Sequence, residues 1–206
     1  MNYEKIFPTL IGTTQTNFES NLLNQWRKFI DVSEKEKLVT QFTPAGDSDD
    51  YLTKSQRLLD NSLIFSPLKE EILSSAREYA TEMTIEFEDL QICNSWGYII
   101  GRNNDPNNFH KHSNSMISGV YYLSLGSPIE FENDINSSLP FTWPITNQEN
   151  YDKVHHQIAP EEQLLILFPS NLSHRVTPNF IDERYCIAFN IIPKGYFGHS
   201  FGNFTL

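Results

Sequence analysis

Apolar positions recur on two different periods along the chain, and the change of period divides it. From about Glu19 to Val32, Leu22, Leu23, Trp26, Phe29 and Ile30 follow the i, i+3, i+4, i+7 spacing. That spacing gathers them on one face of a helix. A second helix is predicted to start at Ser66-Pro67, with Ser as N-cap and Pro in the first helical position. Its buried stripe would be Leu68, Ile72, Leu73, Ala76, Tyr79 and Ala80. Between the helices, residues 40–57 are polar and turn-rich (Thr43-Pro44-Ala45-Gly46-Asp47-Ser48-Asp49-Asp50), which predicts a loop.

From about residue 88 the period falls to two. Ile92, Asn94, Trp96, Tyr98 and Ile100 alternate with Cys93, Ser95, Gly97 and Ile99. Segments 115–125, 128–132, 162–169 and 184–193 are short, β-branched and aromatic, so they read as further strands. Residues 103–108, 133–150 and 170–183 read as loops. Two leading helices followed by a run of strands predict an α+β, mainly β, domain built on a β-sandwich. We expect a single domain over 1–206: a mainly helical support region over 1–87, a β core over 88–193, and a Gly- and Phe-rich tail over 194–206.

Composition narrows the function. The formal net charge of -11, from 26 acidic and 15 basic residues, disfavours non-specific binding to nucleic acid or to an anionic membrane. No apolar run approaches the roughly 20 residues of a membrane-spanning helix. The opening Met1-Asn2-Tyr3-Glu4-Lys5-Ile6-Phe7-Pro8 lacks the apolar stretch of a secretory leader, so a cytoplasmic location is expected. Cys93 and Cys186 each sit in an apolar strand-like run, without metal-type spacing. Two reduced thiols are the expected state, and a single cross-sheet disulfide is the alternative.

The chemistry concentrates in a few positions. Phe109-His110-Lys111-His112 is followed later by Phe168-Pro169-Ser170-Asn171-Leu172-Ser173-His174, and then by Arg184. On a strand, His110 and His112 point to one side, and His174 lies just beyond the apolar strand Leu164 to Phe168. Three imidazoles suit Fe, Zn, Cu or Ni and leave coordination positions open, which is a catalytic rather than a structural arrangement. Pairing His112 with Asn114 is the alternative, with a poorer ligand. An inward-facing Arg184 at the start of a strand could clamp a carboxylate in bidentate fashion. His155, His156 and His199 are read as ordinary packing or surface residues. One of Tyr121 and Tyr122 should line the pocket, and the pattern does not choose between them. Trp96 and Trp143 read as core or pocket wall, and Glu86-Phe87-Glu88-Asp89 as a solvated strand edge or turn.

Several segments together carry a resemblance. They are Ser95-Trp96-Gly97-Tyr98, His110-Lys111-His112-Ser113-Asn114-Ser115, and Ser118-Gly119-Val120-Tyr121-Tyr122-Leu123. They continue with Phe168-Pro169-Ser170, His174-Arg175-Val176-Thr177-Pro178-Asn179, and Glu183-Arg184-Tyr185-Cys186-Ile187-Ala188-Phe189-Asn190. In this order they resemble the 2-oxoglutarate/Fe(II)-dependent dioxygenases. The nearest likeness is to small prolyl-hydroxylase-like proteins of phage and marine bacterial genomes, and a phage-encoded chain would work in the host cytoplasm. The resemblance implies a double-stranded β-helix, or jelly roll, with the N-terminal helices packed on one sheet. It implies Fe(II) held by His110, His112 and His174, with 2-oxoglutarate as co-substrate and dioxygen as oxidant. It further implies that Arg184 holds the distal carboxylate of 2-oxoglutarate and that Tyr98 adds a second hydrogen bond. Asn190, on the same face as Arg184 and six residues on, is a third candidate co-substrate contact. The nucleic-acid demethylase branch usually has a second Arg there; Asn190 and the acidic charge argue against a repair role. One departure stands out: the usual metal motif is His-x-Asp/Glu … His, and His112 occupies the carboxylate position.

The implied reaction is hydroxylation of a prime substrate, with release of succinate and carbon dioxide. Two other readings remain open on the sequence. One is a cupin-like metalloenzyme that uses the three imidazoles without 2-oxoglutarate. The other is a non-catalytic jelly-roll structural or binding protein. The prime substrate would contact loops near 40–60, 103–109 and 133–156, whose shape the pattern does not give. A homo-oligomer is compatible with the sequence.

Overall fold

The computed structural model describes residues 9–38, 49–102, 108–133, 154–197 and 204–205. The expected loops at 103–108 and 133–150, together with Trp143 and His199, fall largely or wholly outside them. Helix α1 spans Ser20–Val32 and buries Leu23, Trp26 and Ile30, with Leu22 and Phe29 packed beside them. Helix α2 spans Ser66–Glu82 and buries Leu68, Ile72, Ala76, Tyr79 and Ala80. Its start differs from expectation. A 3-10 turn over Leu63–Phe65 runs straight into it, so Phe65 is the N-cap and Ser66 is already helical. The capping hydroxyl belongs to Ser62, which accepts the amide of Ile64 at the head of that turn.

The strands are β1 (Gly12–Gln15), β2 (Lys35–Lys37), β3 (Tyr51–Thr53), β4 (Phe87–Ile100), β5 (Ile117–Tyr122), β6 (Ile129–Glu132), β7 (His155–Ile158), β8 (Leu164–Pro169), β9 (His174–Val176), β10 (Arg184–Phe197) and β11 (Phe204–Thr205). The large sheet runs β1-β8-β5-β10-β4-β3-β2, with β11 added to β10, and a small sheet runs β7-β6-β9. All of these pairings are antiparallel. Two predicted loops are corrected here. Within 40–57, Tyr51–Thr53 pairs with both β2 and β4, and within 170–183, His174–Val176 pairs with β6. Both are three-residue strands, too short to show a period of two, and neighbours rather than propensity define them. The start of the tail is ordered: β10 continues through Lys194, and Tyr196 and Phe197 pair with β11.

Alternation along β10 separates two cores. Ile187, Phe189 and Ile191 face the helices, with Ile117 and Tyr121 of β5 and Leu165 and Leu167 of β8. Cys186 faces the small sheet, with Tyr98, Val120, Tyr122, Ile166 and Phe168 opposite Ile129 and Phe131. The helices thus cover the outer face of the large sheet, and the inner face and the small sheet enclose the interior of a jelly roll. Cys93 and Cys186 are both free thiols, so the disulfide alternative is not realised. Among the described residues, no helix is long and apolar enough to cross a membrane.

Candidate active site

The sheets meet at an isolated antiparallel bridge between His110 and His174. The two backbones exchange N–H···O bonds, each of 3.0 Å, and the amide of His112 donates to Ser170 O at 2.8 Å. His110 and His112 therefore lie on an extended segment stitched to the small sheet and the end of β8. This is not the regular strand that the sequence suggested, but the extended backbone keeps both rings on one side. Ring centroids are 4.4 Å apart for His110 and His174, 5.0 Å for His112 and His174, and 5.4 Å for His110 and His112. One potential ligand atom from each ring lies within 4.8 Å of the other two. The three side chains could therefore hold a common metal ion.

The outer hydrogen bonds decide which nitrogen is free. Nδ1 of His110 faces Asn108 O at 2.9 Å, and Nδ1 of His174 faces Leu172 O at 2.8 Å. A carbonyl only accepts, so both Nδ1 atoms carry the proton and both Nε2 atoms keep the lone pair. Nδ1 of His112 faces Asn190 Oδ1 at 2.6 Å and Ser118 Oγ at 3.1 Å. Burial, reinforced by the neighbouring His110, pushes the His174 imidazole down to about 3. Burial likewise holds His112 below its ordinary value. Both rings stay neutral, the form in which imidazole binds a metal. This donor set fits a divalent first-row cation with open positions.

The three rings line a cavity of about 410 Å³ between the sheets, and Arg184 lines it as well. Arg184 is 1% exposed, yet its Nε and Nη1 have no hydrogen-bond partner among the described residues. Its guanidinium carbon lies 4.8 Å from the centroid of the Tyr122 ring. Tyr122 O–H is also buried, with no hydrogen-bond partner among the described residues, and burial pushes it up to about 12. It is therefore a donor at neutral pH. No Asp or Glu lines the cavity among the described residues. A buried cation and a buried hydroxyl thus face a cavity without the anion they require. Gly126 makes this placement possible: a Cβ there would lie 2.5 Å from Arg184 Cδ.

The remaining candidates are distributed as follows. Tyr98 lines the cavity, with its hydroxyl 3.4 Å from Asp50 Oδ2. Asn190 lies behind His112 rather than on the cavity wall. Tyr122 is the cavity tyrosine. Tyr121 turns to the helices, where its hydroxyl meets Thr16 Oγ1 at 2.9 Å and its ring meets Trp26 edge-on. Trp96 is a cavity wall 5.9 Å from the His112 ring. His155 stacks on Phe109 with centroids 5.5 Å apart, and His156 is exposed. Ser118 and Ser170 were not singled out by the sequence. The strand register, which pairs Ser118 with Asn190, brings Ser118 to the site, and Ser170 is placed there by the His112 amide and by Ser118 Oγ.

The segment from β4 to Asn190, residues 94–190, matches the family model described as "Putative 2OG-Fe(II) oxygenase". No curated protein sequence matches the chain. Among solved structures, HygX from Streptomyces hygroscopicus with nickel and 2-oxoglutarate bound is 12% identical. It covers 90% of this chain and 83% of its own, with a TM-score of 0.60. A prolyl-4-hydroxylase from Pseudomonas putida is 14% identical, covering 91% of this chain and 94% of its own at a TM-score of 0.60. The non-heme alpha-ketoglutarate-dependent epimerase SnoN from nogalamycin biosynthesis is 11% identical, covering 94% and 84% at a TM-score of 0.66. At such identities these likenesses speak for the fold, which is the double-stranded β-helix. The matched segment contains all three imidazoles, Arg184, Tyr122 and Asn190, and over it the chain is similar to the 2OG-Fe(II) oxygenases.

Proposed function

We propose that the protein hydroxylates its prime substrate, using Fe(II) at His110, His112 and His174 and 2-oxoglutarate anchored at Arg184. One observation carries this reading: a fully buried guanidinium with two unpaired donor nitrogens opens onto the cavity that the three imidazoles line. A dicarboxylic keto acid meets both needs, with one end for the metal and a carboxylate for the arginine. When bound, iron supplies the coupling of dioxygen reduction to decarboxylation of the keto acid.

The chain's own residues hold and shield. The imidazoles of His110, His112 and His174 would hold the ion through their Nε2 lone pairs. Arg184 takes the distal carboxylate through Nε and an Nη, with its plane fixed by the Tyr122 ring. Tyr122 O–H donates to the same carboxylate, and Tyr98 closes the wall beside it. Val120, Ile129, Phe168 and Val176 keep the cavity apolar, which excludes water and strengthens each polar contact. A keto-acid-independent metalloenzyme would leave Arg184 buried with nothing to bind.

The test is an anaerobic titration of metal-free protein with Fe(II) and 2-oxoglutarate, followed by visible absorption. A metal-to-keto-acid charge-transfer band should require both additions. It should vanish in His174→Ala and need far more 2-oxoglutarate in Arg184→Ala. Metal binding without any band would overturn the co-substrate assignment.

A further inference from the structure

The outer acceptors of the three histidines are not equivalent. For His110 and His174 they are the backbone carbonyls of Asn108 and Leu172. For His112 they are side chains: Asn190 Oδ1 at 2.6 Å and Ser118 Oγ at 3.1 Å from Nδ1. This is also the ligand position at which the chain carries an imidazole rather than the carboxylate that the resemblance implies. A carboxylate is fixed by its own charge and by two equivalent oxygens. An imidazole must be held in one tautomer, because only one of its nitrogens has a lone pair at a time.

The acceptors are built into the most continuous part of the fold. Asn190 on β10 and Ser118 on β5 are register partners at the centre of the large sheet. Ser118 Oγ donates within reach of Asn190 Oδ1 at 2.7 Å and lies 2.9 Å from Ser170 Oγ, which in turn accepts from Ser115 Oγ at 2.9 Å. Asn190, Ser118 and Ser170 are all buried. A register shift between β4 and β10 falls between Asn190 and Ile191 and leaves Cys93 opposite no residue. Bulges of this kind re-aim a side chain beside a site.

We infer that Asn190 is a positioning residue for the third metal ligand, fixing His112 as the Nδ1–H tautomer with Nε2 toward the ion, and that Ser118 and Ser170 lock its amide oxygen in place. The inference rests on the three-imidazole metal site proposed above. It differs from a co-substrate role for Asn190, because it acts before any keto acid is bound. It also implies that the donor strength of His112 can be tuned from the far side of its ring, through the hydrogen bond at Nδ1. A carboxylate at 190 would form the carboxylate–histidine–metal relay that makes an imidazole more basic.

The experiment uses Co(II) alone, without 2-oxoglutarate, and reads affinity and the visible ligand-field spectrum for the full chain and three near-isosteric variants. Asn190→Leu should weaken Co(II) binding about 10- to 100-fold, the usual cost of losing an outer partner of a ligating histidine. It should also alter the ligand-field bands. Asn190→Asp should bind at least as tightly as the parent, with shifted bands. Ser118→Ala, which leaves the amide acceptor, should lose less than Asn190→Leu. A purely structural asparagine would show equal losses in Leu and Asp, or none in either, and that result overturns the inference. Should Asn190→Leu fail to fold, Asn190→Asp and Ser118→Ala carry the test; unchanged affinity and spectra in both overturn it. If the parent itself binds no Co(II), the metal site falls and the inference with it. Parent binding with unaffected variants removes the inference alone.

Discussion

Tyr121 and Tyr122 are adjacent, identical in chemistry, and opposite in role. Tyr122 is the register partner of Cys186 on β10, so it shares the inner face with Arg184. Tyr121 pairs with Ile187 and faces the helices. Tyr122→Phe should raise the dissociation constant for 2-oxoglutarate about tenfold or more, since a hydrogen bond to a charged group is worth roughly 1.5–3 kcal/mol. Tyr121→Phe should leave that constant unchanged and lose only the bond to Thr16. Calorimetric titration of 2-oxoglutarate into metal-loaded protein separates the two, and equal effects would refute the assignment. Gly126 gives a companion test. A methyl there meets the Arg184 stem, so Gly126→Ala should weaken 2-oxoglutarate binding at least several-fold while Co(II) affinity stays at the parent value. The three histidines and Arg184 could be picked out in the sequence because of their order, His-x-His, then His after Phe168-Pro169, then Arg ten residues on. The choice between the tyrosines was not, because a one-residue change of register flips every side chain to the other face.

At the scale of elements, the long segments and the four-residue β6 were legible, and the other short strands were not. α1 and α2 carry helical periodicity, β4 carries alternation, and β5, β6, β8 and β10 stand out as β-branched and aromatic runs between turn signals. β1, with Thr13, Thr14 and Gln15, has no apolar face of its own. It exists because β8 offers it a free edge, pairing Thr13 with Ile166 and Thr14 with Leu165. β9 is three residues long, yet it delivers His174, so the third ligand is placed by pairing with β6 rather than by local preference. The helices contribute to the site only through the sheet they cover. Trp26 is fully buried, stacks on Phe65, meets Tyr121 edge-on and donates to Ile64 O at 2.8 Å. Trp26→Ala should therefore cost about 3–5 kcal/mol in denaturant unfolding. The folded fraction should still bind Co(II) normally, because no part of the triad touches α1. Loss of metal affinity in folded Trp26→Ala would mean that the helical layer shapes the site more directly than its packing suggests.

At the scale of the whole molecule, the metal position spans a seam. His110 and His112 lie on the segment leading into β5 of the large sheet, and His174 begins β9 of the small one. Between them the described backbone supplies the isolated bridge of His110 and His174, while the amide of His112 is tied to Ser170 O just past β8 of the large sheet. An ion held by all three rings ties the two sheets together in the folded chain alone, so it must raise the unfolding free energy by mass action. At a hundredfold excess over its dissociation constant the gain is about 2.7 kcal/mol. In a chain of this length that corresponds to a rise of roughly 5–10 °C in melting temperature. Chelation should reverse the rise, and His174→Ala should abolish it. Adding 2-oxoglutarate to the metal-loaded protein should raise the melting temperature further, because the keto acid would pair Arg184 and bridge the same seam from inside. Arg184→Ala should keep the metal increment and lose the second. The two increments test two parts of the site in one scan: without the first there is no shared ion across the sheets. A second increment that survives Arg184→Ala would move the carboxylate anchor to another residue.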